Sequence, residues 1–148
     1  MNSITAEAGL GVGYAFNTCE DQTGCPGDGL APFTIAGGIG EWFTESSAIE
    51  LRFANTFEQR PGSSFMLAFV GPSIQQWIGT RVWVGAGAGI AIAHGTRTEV
   101  VFSFDVRAGV LLQKTQQHTV NVSIEAAPAI SGGDTSTPVS LLVGYQHL

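Results

Sequence analysis

Apolar residues alternate with small or polar residues along the first dozen positions of the chain, and this pattern constrains the fold more than any other feature. One face carries Ile4, Ala6, Ala8, Leu10, Val12, Tyr14 and Phe16. A period of two residues is typical of a β-strand, because successive side chains point to opposite faces. The run exceeds an ordinary strand of ~5–6 residues. Its length is close to the ~9–11 residues that a tilted strand needs to cross a bilayer.

The same alternation recurs and divides the chain into eight candidate strands. They occupy residues 4–16, 33–43, 49–53, 65–78, 81–93, 100–112, 120–126 and 139–145. We expect a β-bulge to shift the phase of the second strand at residues 40–42. The connections are alternately longer and shorter, which favours an up-and-down meander with its longer loops at one end and both termini at the other. No linker or break in composition separates two parts, so residues 1–148 are expected to form one domain.

Two architectures fit eight alternating strands: a soluble, lipocalin-like barrel with its apolar face inside, and a transmembrane barrel with its apolar face outside. The second face of the strands is rich in glycine, alanine, serine and threonine, and turned outward it would make a poorly soluble surface. Turned inward, the same small side chains fit the narrow lumen of an eight-stranded barrel. Only 12% of the residues are charged and 20 are glycine, as expected where little surface meets water. The prediction is therefore an all-β fold, an eight-stranded antiparallel up-and-down transmembrane β-barrel.

Charges of both signs occur on the face predicted to point inward, which allows them to pair inside the barrel. The expected lumen charge network consists of Glu7, Glu50, Arg52, Arg81, Asp105, Arg107 and Glu125. Buried charges must be paired and hydrogen-bonded, and arginine suits this because its planar fork binds carboxylates through two bonds. We expect a structural network rather than an ion path, since eight strands leave little open lumen.

The remaining composition excludes several classes of function. A net charge of −6 with one lysine, Lys114, argues against a nucleic-acid surface. The sequence contains no run of ~18 apolar residues, so it predicts no transmembrane helix. The glycine-rich segments 9–13 and 85–89 lack the spacing of a phosphate-binding loop. The sequence therefore predicts no cofactor and no metal site.

Cys19 and Cys25 lie close together in the segment between the first two candidate strands. Their spacing is not the two-residue gap of a redox or zinc pair, and no histidine is nearby to complete a metal site. A local disulfide is favoured over two free thiols. A disulfide would indicate an oxidising compartment, such as the bacterial periplasm or a cell surface.

Aromatic side chains cluster toward the strand ends, where we expect some of them to form girdles at the two membrane interfaces. They are Tyr14, Phe16, Phe33, Trp42, Phe43, Phe57, Phe65 and Tyr145.

On these patterns the chain resembles the small outer-membrane barrels of Gram-negative bacteria, the class of the OmpA transmembrane domain and OmpX, over almost its whole length. The resemblance implies an integral outer-membrane protein with both termini in the periplasm. It implies the lipid bilayer, lipopolysaccharide and the outer-membrane assembly machinery as partners. In that class the machinery reads the last strand, and the matching positions here are Val139, Leu141, Val143 and Tyr145. The ending His147–Leu148 departs from the usual terminal aromatic residue.

Three functions are compatible with such a barrel. A structural or surface-recognition role is favoured; the alternatives are a lipid A-modifying enzyme of the deacylase or acyltransferase type and a narrow ion or solute pore. The enzymes place a histidine and a serine together near the outer leaflet. His94 is expected near the outer end with Thr96, Glu99 and Ser103 close in sequence, but His94-Gly-Thr96 replaces the expected His-x-Ser. No catalytic residue is therefore assigned.

Charged residues in the longer loops are candidates for binding a surface partner, which the sequence does not identify, and a plain solvated surface is the simpler interpretation. They are Glu20, Asp21, Asp28, Glu58, Arg60, Arg97 and Asp134.

Overall fold

The structure, a computed structural model, describes residues 4–20, 27–60, 63–95 and 97–147. The strands are β1 (Ile4–Thr18), β2 (Gly29–Trp42), β3 (Ser47–Arg60), β4 (Ser63–Ile78), β5 (Val82–His94), β6 (Thr98–Lys114), β7 (His118–Ala126), β8 (Ala129–Ser131) and β9 (Asp134–His147). The described residues include no helix that is long and apolar enough to cross a membrane.

The strands pair antiparallel with their neighbours, and the sheet closes on itself. β1 pairs with β2 on one side and with β9 on the other, from Ala6 opposite His147 to Thr18 opposite Thr135. β7 and β8 are two parts of one barrel strand, because both pair with β6 and with β9. The prediction of an all-β, closed, eight-stranded antiparallel barrel is therefore confirmed.

Pro128 interrupts the strand formed by β7 and β8, because proline has no backbone N–H to donate to a neighbouring strand. Its carbonyl oxygen still accepts a hydrogen bond from the backbone N–H of Phe104, at 3.1 Å. The N–H of Ala127 donates to the carbonyl oxygen of Pro138, at 3.2 Å. Hydrogen bonds to both neighbouring strands therefore continue across the interruption.

The two ends of the barrel differ in what lies there. The terminal end carries the start of β1, the end of β9 and the turns at residues 43–46, 79–81 and 115–117. The loop end carries the ends of β1, β3, β5 and β8 and the starts of β2, β4, β6 and β9. The strands extend further toward the loop end than the alternation predicts. The predicted loop 131–137 is instead a tight hairpin in which Ser131 lies opposite Asp134. Gly132 and Gly133 have φ of 55° and 103°, and positive φ at both central residues is typical of a two-residue hairpin turn.

The expected phase shift at residues 40–42 is wrong. The register between β2 and β3 is continuous from Phe33 opposite Phe57 to Trp42 opposite Ala48. The irregularity lies instead between Leu30 and Phe33, near the start of β2. Trp42 therefore keeps the phase of the inward face.

Two of the eight candidate girdle residues point into the barrel. Trp42 is 9% exposed, and Phe65 packs against the interior cluster nearest the loop end. The other six are exposed, Phe43 in the turn after β2 and the rest on strands: Tyr14, Phe16, Phe33, Phe57 and Tyr145.

The outer face of the barrel is apolar and the inner face is polar. Leu10 and Val143 point outward and are 56% and 58% exposed, whereas Thr5 and Gln146 point inward and are fully buried. A protein in water buries its apolar side chains, so this inverted arrangement is that of a transmembrane barrel.

Side chains fill the lumen in layers from the terminal end to the loop end. Near the terminal end, Gln75 donates to Gln146 at 3.2 Å, and Gln146 donates to the hydroxyl of Thr5 at 3.1 Å. A layer of charged residues follows. An apolar layer lies beyond it, formed by Ala36, Ala54, Phe69 and Leu142. A second apolar cluster lies nearest the loop end, formed by Leu67, Ala91 and Ala129.

Candidate functional site

The charged layer brings six side chains from β1, β3, β6 and β7 together. They are Glu7, Glu50, Arg52, Asp105, Arg107 and Glu125. Alternation points each of them inward, and the strand register brings them to one level: Arg107 lies opposite Glu125, and Glu7 and Arg52 both lie opposite Gly38. Their side chains are 0–9% exposed. We call these six residues the ion-pair cluster.

Arg107 holds the carboxylates on one side of the cluster. Its Nη1 is 2.8 Å from Glu7 Oε1, and its Nη2 is 2.7 Å from Glu50 Oε2. Nη2 also donates to the hydroxyl of Ser73 at 3.2 Å, and the guanidinium lies 5.6 Å from the ring centre of Trp83. Ser73 and Trp83 were absent from the predicted network, although their positions in the alternation on β4 and β5 predict that both side chains point inward.

Glycines beside the cluster leave room for its long side chains. Gly85 lies opposite Arg107, and a Cβ at Gly85 would overlap the Arg107 side chain, including its Cγ at 2.9 Å. Gly109 lies opposite Trp83, and a Cβ there would overlap the indole ring. The glycines on the inward face are therefore required by close packing at these two positions.

Arg52 holds the other side of the cluster. Its Nη1 donates to Glu7 and its Nη2 donates to Glu125. Its Nε lies 3.3 Å from Asp105 Oδ2. Glu7 contacts both arginines and therefore joins the two halves of the cluster.

The ion-pair cluster is unbalanced in charge. Four carboxylates face two guanidinium groups, which gives a formal net charge of −2 when all six are ionised. Neither oxygen of Asp105 accepts a hydrogen bond from the described residues, and its closest approach to Arg107 is 3.9 Å. Asp105 is therefore the most weakly held member, because a buried carboxylate is stabilised by hydrogen bonds as well as by nearby positive charge.

Arg81 does not join the cluster, and its assignment to the lumen network is wrong. It is exposed in the turn before β5, where its carbonyl oxygen accepts a hydrogen bond from the N–H of Leu111 at 2.7 Å. β5 begins at Val82, so Arg81 lies in the turn and the strand does not direct its side chain inward.

Glu58 shows the opposite error at the loop end. We expected it in a surface loop, but β3 continues to Arg60 and leaves Glu58 only 3% exposed on the inward face. Its Oε1 accepts a hydrogen bond from Asn17 Nδ2 at 3.3 Å.

A cavity of about 230 Å³ opens at the loop end, and we call it the loop-end cavity. Its apolar lining consists of Phe65, Leu67, Ala93, Val101 and Ala129. Its rim carries Glu99 and Asp134, and no lysine or arginine of the described residues lines it. Asp134 Oδ1 accepts a hydrogen bond from the backbone N–H of Glu20 at 3.1 Å, which holds a third acidic residue close by. The cavity therefore has an apolar floor and an acidic rim.

His94 and the residues considered with it are not brought together. His94 lies exposed on the outer face, with Nδ1 2.7 Å from the hydroxyl of Thr98. Ser103 is fully buried inside the barrel, where it donates to a backbone carbonyl at 2.9 Å. Glu99 lines the loop-end cavity, and Thr96 lies outside the described residues. His94 and Ser103 are thus on opposite faces of the wall.

The predicted disulfide falls partly outside the part of the chain that the structure describes. Cys19 follows β1 and lines the loop-end cavity, whereas Cys25 is not among the described residues. The pairing of the two cysteines therefore stays a prediction.

Comparison with known proteins finds likeness in fold. No protein family and no curated protein matches the sequence. Neisserial surface protein A matches with a TM-score of 0.68 and 13% identity over 99% of this chain and 98% of that one. Ail, the attachment invasion locus protein of Yersinia pestis, matches with a TM-score of 0.64 and 14% identity over 96% and 97%. The outer membrane protein OprG from Pseudomonas aeruginosa matches with a TM-score of 0.57 and 9% identity over 97% and 94%. The resemblance to small Gram-negative outer-membrane barrels is therefore confirmed at the level of fold.

Proposed function

We propose that the chain is an integral protein of the bacterial outer membrane with a structural or surface-recognition role and a lumen that does not conduct. The observation that carries this proposal is the filled interior, in which the ion-pair cluster lies directly below the apolar layer around Phe69. Because solutes find no wide path through these layers, contacts with other molecules are confined to the outer wall and the two ends. The lipid bilayer and lipopolysaccharide surround the wall in this proposal, and the assembly machinery reads β9.

The loop end faces the outside of the cell in this proposal, and both termini lie in the periplasm. The turns at the terminal end are short, as is typical of periplasmic turns in outer-membrane barrels. The predicted disulfide fits either orientation, because the periplasm and the cell surface are both oxidising.

Cysteine labelling in whole cells tests this orientation. Single cysteines replace Ser131 at the loop end and Gln117 at the terminal end, both exposed positions, in a chain with Cys19→Ser and Cys25→Ser. A membrane-impermeant maleimide is expected to label Ser131→Cys in intact cells and Gln117→Cys only after lysis. The reverse pattern would contradict the orientation, and labelling of neither in lysed cells would contradict an exposed position for both.

Single-channel recording tests the closed lumen. The protein is inserted into planar bilayers, with a known porin as a positive control for insertion. We expect no stepwise current, because the ion-pair cluster and the layer above it fill the lumen. Regular steps of uniform conductance would favour the narrow pore instead.

The loop-end cavity is the proposed recognition site. Its apolar floor favours an apolar group, since burial of apolar surface is favourable by about 25 cal/mol per Å². Glu99 and Asp134 at its rim favour positive charge on the same ligand, because electrostatic complementarity selects among partners. The preferred ligand class is therefore a small apolar group that carries a cation, such as an aromatic amine or an apolar side chain with a basic neighbour.

Phenethylammonium is a suitable probe, with the neutral 2-phenylethanol as its matched control. Binding to the barrel in lipid nanodiscs is followed by NMR chemical shifts of loop-end residues. The double variant Glu99→Gln, Asp134→Asn is expected to weaken binding of the cation by about 2- to 30-fold. This range takes about 0.2–1 kcal/mol for each exposed charge. The affinity for the alcohol should be unaffected, and Glu45→Gln at the terminal end should change the affinity for neither probe. Equal effects on both probes would contradict the role of the acidic rim, and no shifts with either would contradict recognition at this cavity.

A further inference from the structure

Two histidines and a tyrosine meet on the outer wall at the terminal end. His118 begins β7 and lies directly opposite His147 near the end of β9. Tyr145 lies two residues before His147, so its side chain points to the same side of the sheet. His118 is half-buried, and the other two side chains are exposed. None of the three takes part in the ion-pair cluster or the loop-end cavity.

The polar atoms of the three side chains converge on His118. The Nδ1 atoms of His118 and His147 are 3.2 Å apart, and the Tyr145 hydroxyl is 2.5 Å from Nδ1 of His118. The ring of Tyr145 is stacked on that of His118, with ring centres 5.3 Å apart, and the two imidazole rings have centres 5.0 Å apart. Three electron-pair donors therefore lie close together on one exposed surface.

Hydrogen bonding alone does not satisfy this arrangement. The Nδ1 of a neutral imidazole either donates one hydrogen or accepts at one lone pair. Nδ1 of His118 has two partners at hydrogen-bond distance, the Tyr145 hydroxyl and Nδ1 of His147. One of the two contacts is therefore left without a good hydrogen bond.

We propose that His118 and His147 form a binding site for a divalent transition-metal ion, such as Zn²⁺ or Cu²⁺, through their Nδ1 atoms. Tetrahedral coordination with metal–nitrogen distances of ~2.0–2.1 Å places two ligand nitrogens about 3.3–3.4 Å apart, close to the 3.2 Å observed. A metal between the nitrogens also resolves the conflict at His118, because both imidazoles then present lone pairs to the cation. No group of three or more His, Cys, Asp and Glu among the described residues could hold a metal, so water completes the coordination.

Tyr145 is a positioning residue in this site. Its ring stacks on His118 and holds the plane of the imidazole. Its hydroxyl lies 2.5 Å from the Nδ1 that binds the metal, so it gives up that hydrogen bond when the metal binds. Because the two ligands come from β7 and β9, a bound metal connects the last strand of the barrel to its neighbour.

Titration of tag-free protein with ZnCl₂ in lipid nanodiscs tests the site. We expect one saturable Zn²⁺ site, with affinity reduced at least tenfold in His118→Ala and in His147→Ala. His94→Ala is the matched control, an exposed histidine at the opposite end, and should leave the affinity unchanged. Folding of each variant is checked by its heat-dependent mobility on gels. Absence of saturable binding below about 1 mM, or equal binding in a folded His118→Ala or His147→Ala variant, would overturn the proposal.

Copper spectroscopy and thermal unfolding give independent measurements. The EPR spectrum of the Cu²⁺ form is expected to show coupling to two imidazole nitrogens, and coupling to one or none would overturn the proposal. Zn²⁺ should raise Tm in the parent protein and not in His147→Ala, because only a ligand that binds the folded state stabilises it. Tyr145→Phe should keep both nitrogen couplings and lower the affinity less than tenfold. A larger loss would overturn the positioning role of Tyr145.

Discussion

Replacing Arg107 by methionine tests the energetics of the ion-pair cluster. Arg107→Met keeps most of the side-chain volume but removes the cation that lies 2.8 Å from Glu7 and 2.7 Å from Glu50. A hydrogen bond to a charged group contributes about 1.5–3 kcal/mol, so two such bonds are worth about 3–6 kcal/mol. Removal of one partner from a buried pair costs about 3–5 kcal/mol because the other charge stays buried. We therefore expect a loss of about 3–5 kcal/mol in the free energy of unfolding.

Asp105→Asn is the matched control within the same cluster. Asp105 is also fully buried, but its oxygens accept no hydrogen bond from the described residues. Its replacement removes one of the two excess negative charges, so lost attraction to the arginines is offset by relief of repulsion between carboxylates. We expect a change within about 1 kcal/mol in either direction. The difference between the two variants is the quantity that tests the reasoning.

The measurement is equilibrium unfolding in guanidinium of barrels refolded into lipid vesicles. Tryptophan fluorescence reports the transition, since the chain has three tryptophans and Trp83 lies against Arg107. A third variant, Arg107→Met with Glu50→Gln, removes the charge that Arg107→Met leaves unpaired, and we expect it to recover about 1–3 kcal/mol.

Equal costs for Arg107→Met and Asp105→Asn would refute the reasoning, because the hydrogen bonds of Arg107 would then contribute nothing beyond simple charge. Failure of Glu50→Gln to recover any stability would refute the argument that an unpaired buried carboxylate is the source of the loss.

Other parts of the barrel can be tested in the same preparation. Leu10→Arg, on the lipid-facing wall in mid-strand, should cost about 2–4 kcal/mol and Ile4→Arg, at the strand end, about 0–1 kcal/mol; equal costs in the unfolding assay would argue against a lipid-facing band. In Gly11→Ala the new Cβ would overlap a carbonyl oxygen of β9. The free energy of unfolding should therefore fall by about 1–3 kcal/mol or more, and the folded band on gels should weaken. The predicted disulfide should protect both cysteines from alkylation until a reductant is added, and labelling without reductant would show free thiols.

Period-two alternation is sufficient to predict the wall of the barrel, because each strand has one face toward lipid and one toward the lumen. Leu10 and Val143 are examples, since their exposure follows directly from their phase. The inward phase of Arg52 and Arg107 likewise makes a charged lumen predictable. The membrane is the reason that the rule works so well, because every outward position meets the same apolar solvent.

The ends of strands are less predictable, because they are set by hydrogen bonds to neighbouring strands rather than by local pattern. Arg81 has the phase of the inward residues but precedes the first paired residue of β5, and it is exposed. Glu58 precedes a segment of turn-like composition, yet β3 continues past it alongside β4 and keeps it buried. Local sequence contains no information on how far the partner strand extends.

Contacts between particular side chains depend on register, which alternation leaves open. His118 and His147 are separated by 29 positions in sequence, and they meet because β7 and β9 pair with these two residues directly opposite. A shift of two residues would keep every side chain on its face and separate the two imidazoles. The same holds for Ser73 and Trp83 around Arg107.

The seam between β1 and β9 has a consequence for how the barrel is completed. The hydroxyl of Thr5 donates to the carbonyl oxygen of His147 at 2.8 Å across 142 positions of sequence. Until β9 arrives, β1 has a free hydrogen-bonding edge, and hydrocarbon offers that edge no substitute partner. A chain that lacks β9 is therefore not a smaller barrel but an open sheet with two unsatisfied edges. Closure of the barrel in lipid must accordingly wait for β9, and loop closure over this distance makes the step slow.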